Sequence, residues 1–114
     1  MSEPQTKTAT EIVAYCQEIH SETEDWLEGD LEQRIRAHES YCLTIRRLDS
    51  LASGRWTLDP ALGQEFLARR QRGEVFPAIV CTGWGRIIDG EHRCWAADKA
   101  GDLEIAAWVA DDEL

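Results

Sequence analysis

The chain contains no Cys-x-x-Cys pair and no cysteine–histidine cluster at metal-ligand spacing; Cys16, Cys42, Cys81 and Cys94 are scattered along it. Neither a zinc site nor a disulfide framework is therefore expected, and four reduced or buried thiols are the simpler reading. No basic segment followed by an apolar stretch stands near Met1-Ser2-Glu3-Pro4, and no apolar run approaches the roughly 20 residues that cross a bilayer. A cytoplasmic location without membrane attachment is the expectation. Internal repeats and low-complexity linkers are also missing. Cations are scarce: 12 Lys and Arg stand against 22 Asp and Glu, for a net charge of −10. Duplex DNA is bound mainly through Lys and Arg displacing its counterions, so direct binding of that polyanion is not expected. What is present, 114 residues with 43% hydrophobic content, suffices for one core and is too short for two ordinary domains.

The negative charge is unevenly placed. Residues 1–38 carry nine acids and three bases, residues 39–110 carry ten acids and nine bases, and the tail 111–114 adds three acids. The sequence thus divides into an acidic N-terminal extension, a nearly neutral domain and an acidic tail. Within the extension, Glu22, Glu24, Asp25, Glu28, Asp30 and Glu32 place six carboxylates in eleven residues. Such a face is ordinary solvated surface or a docking site for a basic protein partner.

Thr8-x-x-Glu11 has the form of a capping box, and Ile12, Tyr15, Cys16 and Ile19 follow at helical spacing. A second helical stretch, starting near Ser21, carries Leu27, Leu31 and Ile35 at four-residue intervals, with Gly29 as a weak point. Residues 41–48 switch to a period of two, Leu43 and Ile45 against Thr44 and Arg46, which predicts an edge-like strand. Asp59-Pro60 reads as an N-cap with proline at the first helical position, Leu62, Phe66 and Leu67 as the apolar stripe of that helix, and Gly73 as its end. Arg69, Arg70 and Arg72 fall in its last turn, where cations complement exposed carbonyls. Two short apolar runs, 77–81 and 86–88, flank Thr82-Gly83-Trp84-Gly85, a hairpin turn with Trp84 at its tip, expected to fold back on the sheet. Trp95, with Ala96 and Ala97, is expected in the core.

The segment Arg86-Ile87-Ile88-Asp89-Gly90-Glu91-His92-Arg93-Cys94-Trp95-Ala96-Ala97 runs an apolar strand into a helix. The first N–H groups of a helix lack intrahelical partners, its dipole leaves partial positive charge there, and glycine permits close approach to the backbone. Gly90, Glu91, His92 and Arg93 are accordingly the candidate phosphate or nucleotide site, with Arg86 as support. Asp89 and Glu91 also have plain roles, as N-cap and first-turn carboxylate. Cations in a first turn oppose the helix field, which favours an anion between them.

The string Ile-Ile-Asp-Gly-x-His-Arg-x-x-Ala-Ala resembles the ParB/sulfiredoxin superfamily. So does the order of the flanking elements, from Arg47-Leu48-Asp49-Ser50-Leu51 through Gly73-Glu74-Val75-Phe76-Pro77 to Glu104-Ile105-Ala106-Ala107-Trp108-Val109. The resemblance covers about residues 41–109. It implies a small α/β (α+β) domain with a mixed sheet and packed helices, to which the acidic helices are an extension. It implies CTP or ATP with Mg²⁺ as the ligand, with Asp89 and Glu91 as possible contacts to the metal, and Glu91 as a possible catalytic group in a nucleoside triphosphatase or phosphotransferase. Sulfiredoxins place their catalytic cysteine immediately before the His-Arg pair; Glu91 stands there instead, which argues against sulfinic-acid repair. ParB proteins carry Gly-Glu-Arg-Arg, from which Gly90-Glu91-His92-Arg93 differs at one position. Two alternatives stand beside a nucleotide binder: an accessory protein of a phage or plasmid whose acidic helices mimic nucleic acid and inhibit a defence machine of the CRISPR or restriction type, and a ParB-like nuclease.

Overall fold

The computed structural model describes residues 5–19, 31–53 and 60–111. Its elements are β1 (Thr6–Thr8), α1 (Ala9–Ile19), α2 (Leu31–Arg36), β2 (Ser40–Arg47), a 3₁₀ turn (Leu48–Ser50), β3 (Ala52–Ser53), α3 (Pro60–Gln71), β4 (Ile79–Cys81), β5 (Arg86–Asp89), α4 (Glu91–Lys99) and β6 (Glu104–Ala110). The six strands form one mixed sheet in the order β1-β2-β6-β4-β5-β3. The fold class is α+β, as the sequence implied. No helix among the described residues is long and apolar enough to cross a membrane.

Alternation along the strands divides the core between the two sheet faces. Along β6, Trp108 and Ala110 join Ile12, Val13, Cys16, Leu31, Ile35, Tyr41, Val80 and Ile88 in one cluster. Ile105 and Ala107 join Ile79, Cys81, Ile87, Cys94 and Ala97 in the other. Helices α1 and α2 thus cover one face and α4 the other, with α3 packed on α4. The described residues of the N-terminal extension are part of this core: Ile12 and Cys16 are wholly buried and β1 pairs antiparallel with β2. Each fully buried aliphatic side chain contributes roughly 1.5–3 kcal/mol.

The capping box at the start of α1 is formed. Thr8 N–H donates to Glu11 Oε1 at 2.9 Å and Glu11 N–H to Thr8 Oγ1 at 3.2 Å, and those bonds to Thr8 hold the Glu11 carboxyl below its ordinary range. Gly73, at φ 91°, ends α3 with paired bonds from its own N–H to Arg70 O and from Glu74 N–H to Arg69 O, a Schellman closure. The arginines of the last turn meet carboxylates: Arg69 clasps Glu74, and Arg70 clasps Asp102 through two bonds of 2.7 and 3.0 Å.

Three expectations are corrected. Strand β2 is interior, with β1 on one side and β6 on the other, because the short stretch Thr6–Thr8 preceding the capping box extends the sheet. Trp84 does not fold back; the hairpin closes as expected through Gly85 N–H to Thr82 O at 2.9 Å, but the indole is 74% exposed. Trp95 is only half-buried, lying between the two helices with its ring against Gly63 of α3, while Ala96 and Ala97 occupy the core. Asp59 and the start of the second helical stretch, 21–30, lie outside the described residues.

Candidate functional site

Strand β5 passes into α4 through Gly90, which occupies the N-cap position at φ 118° and makes no side-chain capping bond. Its left-handed backbone is one reason for glycine. Packing is the other: a β-carbon there would run into the Ile79 side chain and lie 3.0 Å from Arg93 Nη2. The open side of Gly90 is thus filled by the protein's own atoms. Asp89 is not the N-cap. A bulge in the β4–β5 pairing, with Val80 opposite Asp89 but Cys81 opposite Ile87, interrupts alternation on β5. Strict alternation would send Asp89 to the side of Ile87; instead its carboxylate turns toward Cys16 on α1, whose thiol feels its charge.

Arg93 turns inward. Its side chain is 3% exposed, its Nη1 donates to Pro77 O at 2.8 Å and Ala78 O at 2.9 Å, and its Nη2 meets Asp89 Oδ2 at 3.3 Å. The guanidinium is engaged with groups of the fold and does not project from the helix start toward an anion, as its candidacy for the phosphate site would require. Tyr15 of α1 completes the network: its hydroxyl donates to Ala78 O at 2.6 Å, the same carbonyl that accepts from Arg93 Nη1. Burial raises the pKa of Tyr15. It does the same far more strongly for the Cys16 thiol, where the Asp89 charge adds to the effect.

The remaining first-turn residues face outward in part. Glu91 is half-buried, and desolvation, reinforced by the charge of Asp89, lifts its pKa from 4.5 to about 7 against the opposing pull of its own backbone N–H and, more weakly, of Arg34 on α2 and Arg93. His92 leans toward α3, its ring stacked on Phe66 at 6.3 Å with planes 20° apart; Phe66 in turn meets Phe76 edge-on and lies under the Arg69 guanidinium. Arg86 stands at the other end of β5, about 13 Å from Gly90 at 3.3 Å per strand residue, beside the hairpin turn. The structure therefore brings Asp89, Gly90, Glu91, His92 and Arg93 to one junction and leaves Arg86 away from it.

Burial pushes the Cys94 thiol up to about 12 and that of Cys81 to about 11, as inert packing thiols require. Of the acidic face, Glu22, Glu24, Asp25, Glu28 and Asp30 lie outside the described residues. Glu32 lies on α2, paired with Arg36 at 2.9 Å. Among the described residues no group of three or more His, Cys, Asp or Glu is placed to hold a metal ion.

Reading the sequence missed Arg34, Tyr15, Cys16 and Phe66 as neighbours of the junction. Their spacing marks Tyr15, Cys16 and Phe66 only as members of apolar stripes. The hydroxyl of a buried tyrosine requires a partner, which was the available signal for Tyr15; nothing local marks Arg34.

No family model matches the chain, and no curated protein does. Among solved structures it is similar to a Pnob8-like ParB-N domain, with a TM-score of 0.51 over 64% of this chain and 17% identity. The chain spans 30% of the length of that structure. The likeness shows the fold: this is an α+β domain of ParB-N-like architecture.

Proposed function

We propose that the chain is a ParB-like domain that binds a nucleotide or another phosphorylated ligand at the first turn of α4, through the backbone N–H groups of Glu91 and His92 and the His92 imidazole. The observation that carries this reading is the charge state of the junction. Two bare carboxylates beside a helix start would repel phosphate. Here Asp89 is buried against Arg93, and Glu91, with a pKa near 7, carries a fraction of a charge at neutral pH. The positive end of the helix is then left to attract an anion.

In this reading Arg93 holds the junction in shape, and Gly90 permits the turn. Arg86, at the far end of β5, takes no part. The donor set does not fit a metal held by the protein: Asp89 faces Arg93, which leaves Glu91 alone, so Mg²⁺ would arrive with CTP or ATP. When bound, Mg²⁺ would supply charge neutralisation of the phosphates. Glu91 has the proton affinity of a general base at neutral pH. Phosphoryl turnover with Glu91 as base is the second part of the proposal; equal hydrolysis by Glu91→Gln and wild type would remove Glu91 from it.

The binding role is tested by thermal shift with inorganic phosphate, CTP and ATP, each with Mg²⁺. A ligand at a hundred times its Kd adds about 2.7 kcal/mol and raises Tm by several degrees. The rise should fall sharply in His92→Ala. No rise with any of the three in the wild type would overturn the reading.

A further inference from the structure

We propose that Tyr15 is a positioning residue for the α4 mouth: from the N-terminal helix it fixes Arg93, and through Arg93 the turn from β5 into α4. The inference deepens the reading of that mouth as a ligand surface and rests on it for its functional consequence only.

Two consecutive residues of α1 stand beside the two members of one buried ion pair. The Tyr15 hydroxyl and Arg93 Nη1 converge on a single acceptor, Ala78 O, at 2.6 and 2.9 Å. The Cys16 thiol lies close enough to the Asp89 carboxylate for that charge to raise its pKa, and the carboxylate accepts from Arg93 Nη2 at 3.3 Å. A carbonyl oxygen has two lone pairs, and Tyr15 and Arg93 take both. Buried networks of this kind strengthen one another, so removal of one member loosens the rest. Arg93 also closes the space above Gly90, so its placement and the geometry of the helix start are linked. The N-terminal helix thereby reaches a site some seventy residues away in sequence.

The Tyr15 ring has a separate anchor, an edge contact with Trp108 at 6.2 Å. Phenylalanine keeps that contact, so Tyr15→Phe removes the hydroxyl alone. The readout is hydrogen exchange of the Arg93 Nε–Hε group, followed by NMR in ¹⁵N-labelled full-length protein, with the Val80 backbone amide as internal reference. In Tyr15→Phe the Arg93 group should exchange at least about tenfold faster while Val80 changes by less than about twofold, as expected of a local opening. Val13→Ala, on the same helix and away from the network, serves as the control for general loosening. Unchanged Arg93 exchange in Tyr15→Phe, or equal acceleration in Val13→Ala, overturns the proposal. Titration of CTP with Mg²⁺ into the same samples reads the ligand surface separately: no binding by the wild type would sink the ligand reading and leave the exchange result to decide the positioning role.

Discussion

Asp89 and Arg93, four residues apart across the turn from β5 into α4, form an ion pair at 3.3 Å with side chains only 8% and 3% exposed. The pair spans the strand-to-helix junction from inside, and the two carbonyls of Pro77 and Ala78 complete the guanidinium's shell.

Removal of one partner strands the other. Arg93→Ala should cost about 3–5 kcal/mol, because the Asp89 carboxylate is left buried without a cation. Arg93→Lys should also be costly, since one ammonium cannot match the planar fork that reaches Pro77 O, Ala78 O and Asp89 together. Urea unfolding measures both; wild-type stability in either variant would mean that the clasp is not formed.

Glu91 makes stability depend on pH in the direction opposite to an ordinary salt-bridged acid. Its folded pKa, about 7, lies above the ordinary 4.5. Between those values the folded chain binds more protons than the unfolded chain, so stability falls as pH rises through the window. Allowing for the water that still reaches this half-buried carboxyl, the contribution lost is of order 2 kcal/mol. Glu91→Gln should flatten the stability profile between about pH 5 and 7 and leave the variant more stable than wild type at about pH 8. A profile with the same slope in both proteins would contradict the assignment.

Gly90 and Gly73 both have positive φ, 118° and 91°, yet they should respond differently to substitution. Nothing lies within 4 Å of a β-carbon at Gly73, whereas one at Gly90 meets Ile79 and Arg93. Gly73→Ala should cost only the backbone term, about 1 kcal/mol, and Gly90→Ala about 2–4 kcal/mol with overpacking added. Equal values from denaturant melts would remove the packing argument.

The acidic N-terminal residues were separated from the domain by charge, and their packing gives that division a test. Leu31 and Ile35 are 7% and 1% exposed in the cluster shared with Tyr41, Val80 and Trp108. Ile35→Ala should cost about 2–4 kcal/mol. A chain of residues 39–114 alone should lack cooperative unfolding by circular dichroism; a sharp transition in it would show that the core is complete without α1 and α2.

The elements of this fold were legible where the signal is local. The capping box at Thr8 and Glu11, the period of two through β2, the proline-to-glycine span of α3 and the strand-to-helix run at Gly90 are each encoded within a few residues. The strand-to-helix junction was legible in position and its side chains less so in orientation. Sequence places Arg93 in a first turn but cannot say that a bulge at Ile88 and Asp89 aims its partner inward. Asp89 and Arg93 at i and i+4 did carry a hint, since that spacing brings side chains together on a helix face. The links from Tyr15 to Ala78 and from Arg70 to Asp102 span 63 and 32 residues. Nothing in either neighbourhood encodes such contacts.

The most direct measurement of the central claim is an amide NMR titration of the full chain with CTP and Mg²⁺, followed at the first turn of α4. The backbone N–H signals of Glu91 and His92 should move most and saturate, while those of Arg86 at the far end of β5 stay in place. Saturable shifts centred elsewhere, or no shifts at millimolar nucleotide, would contradict that claim.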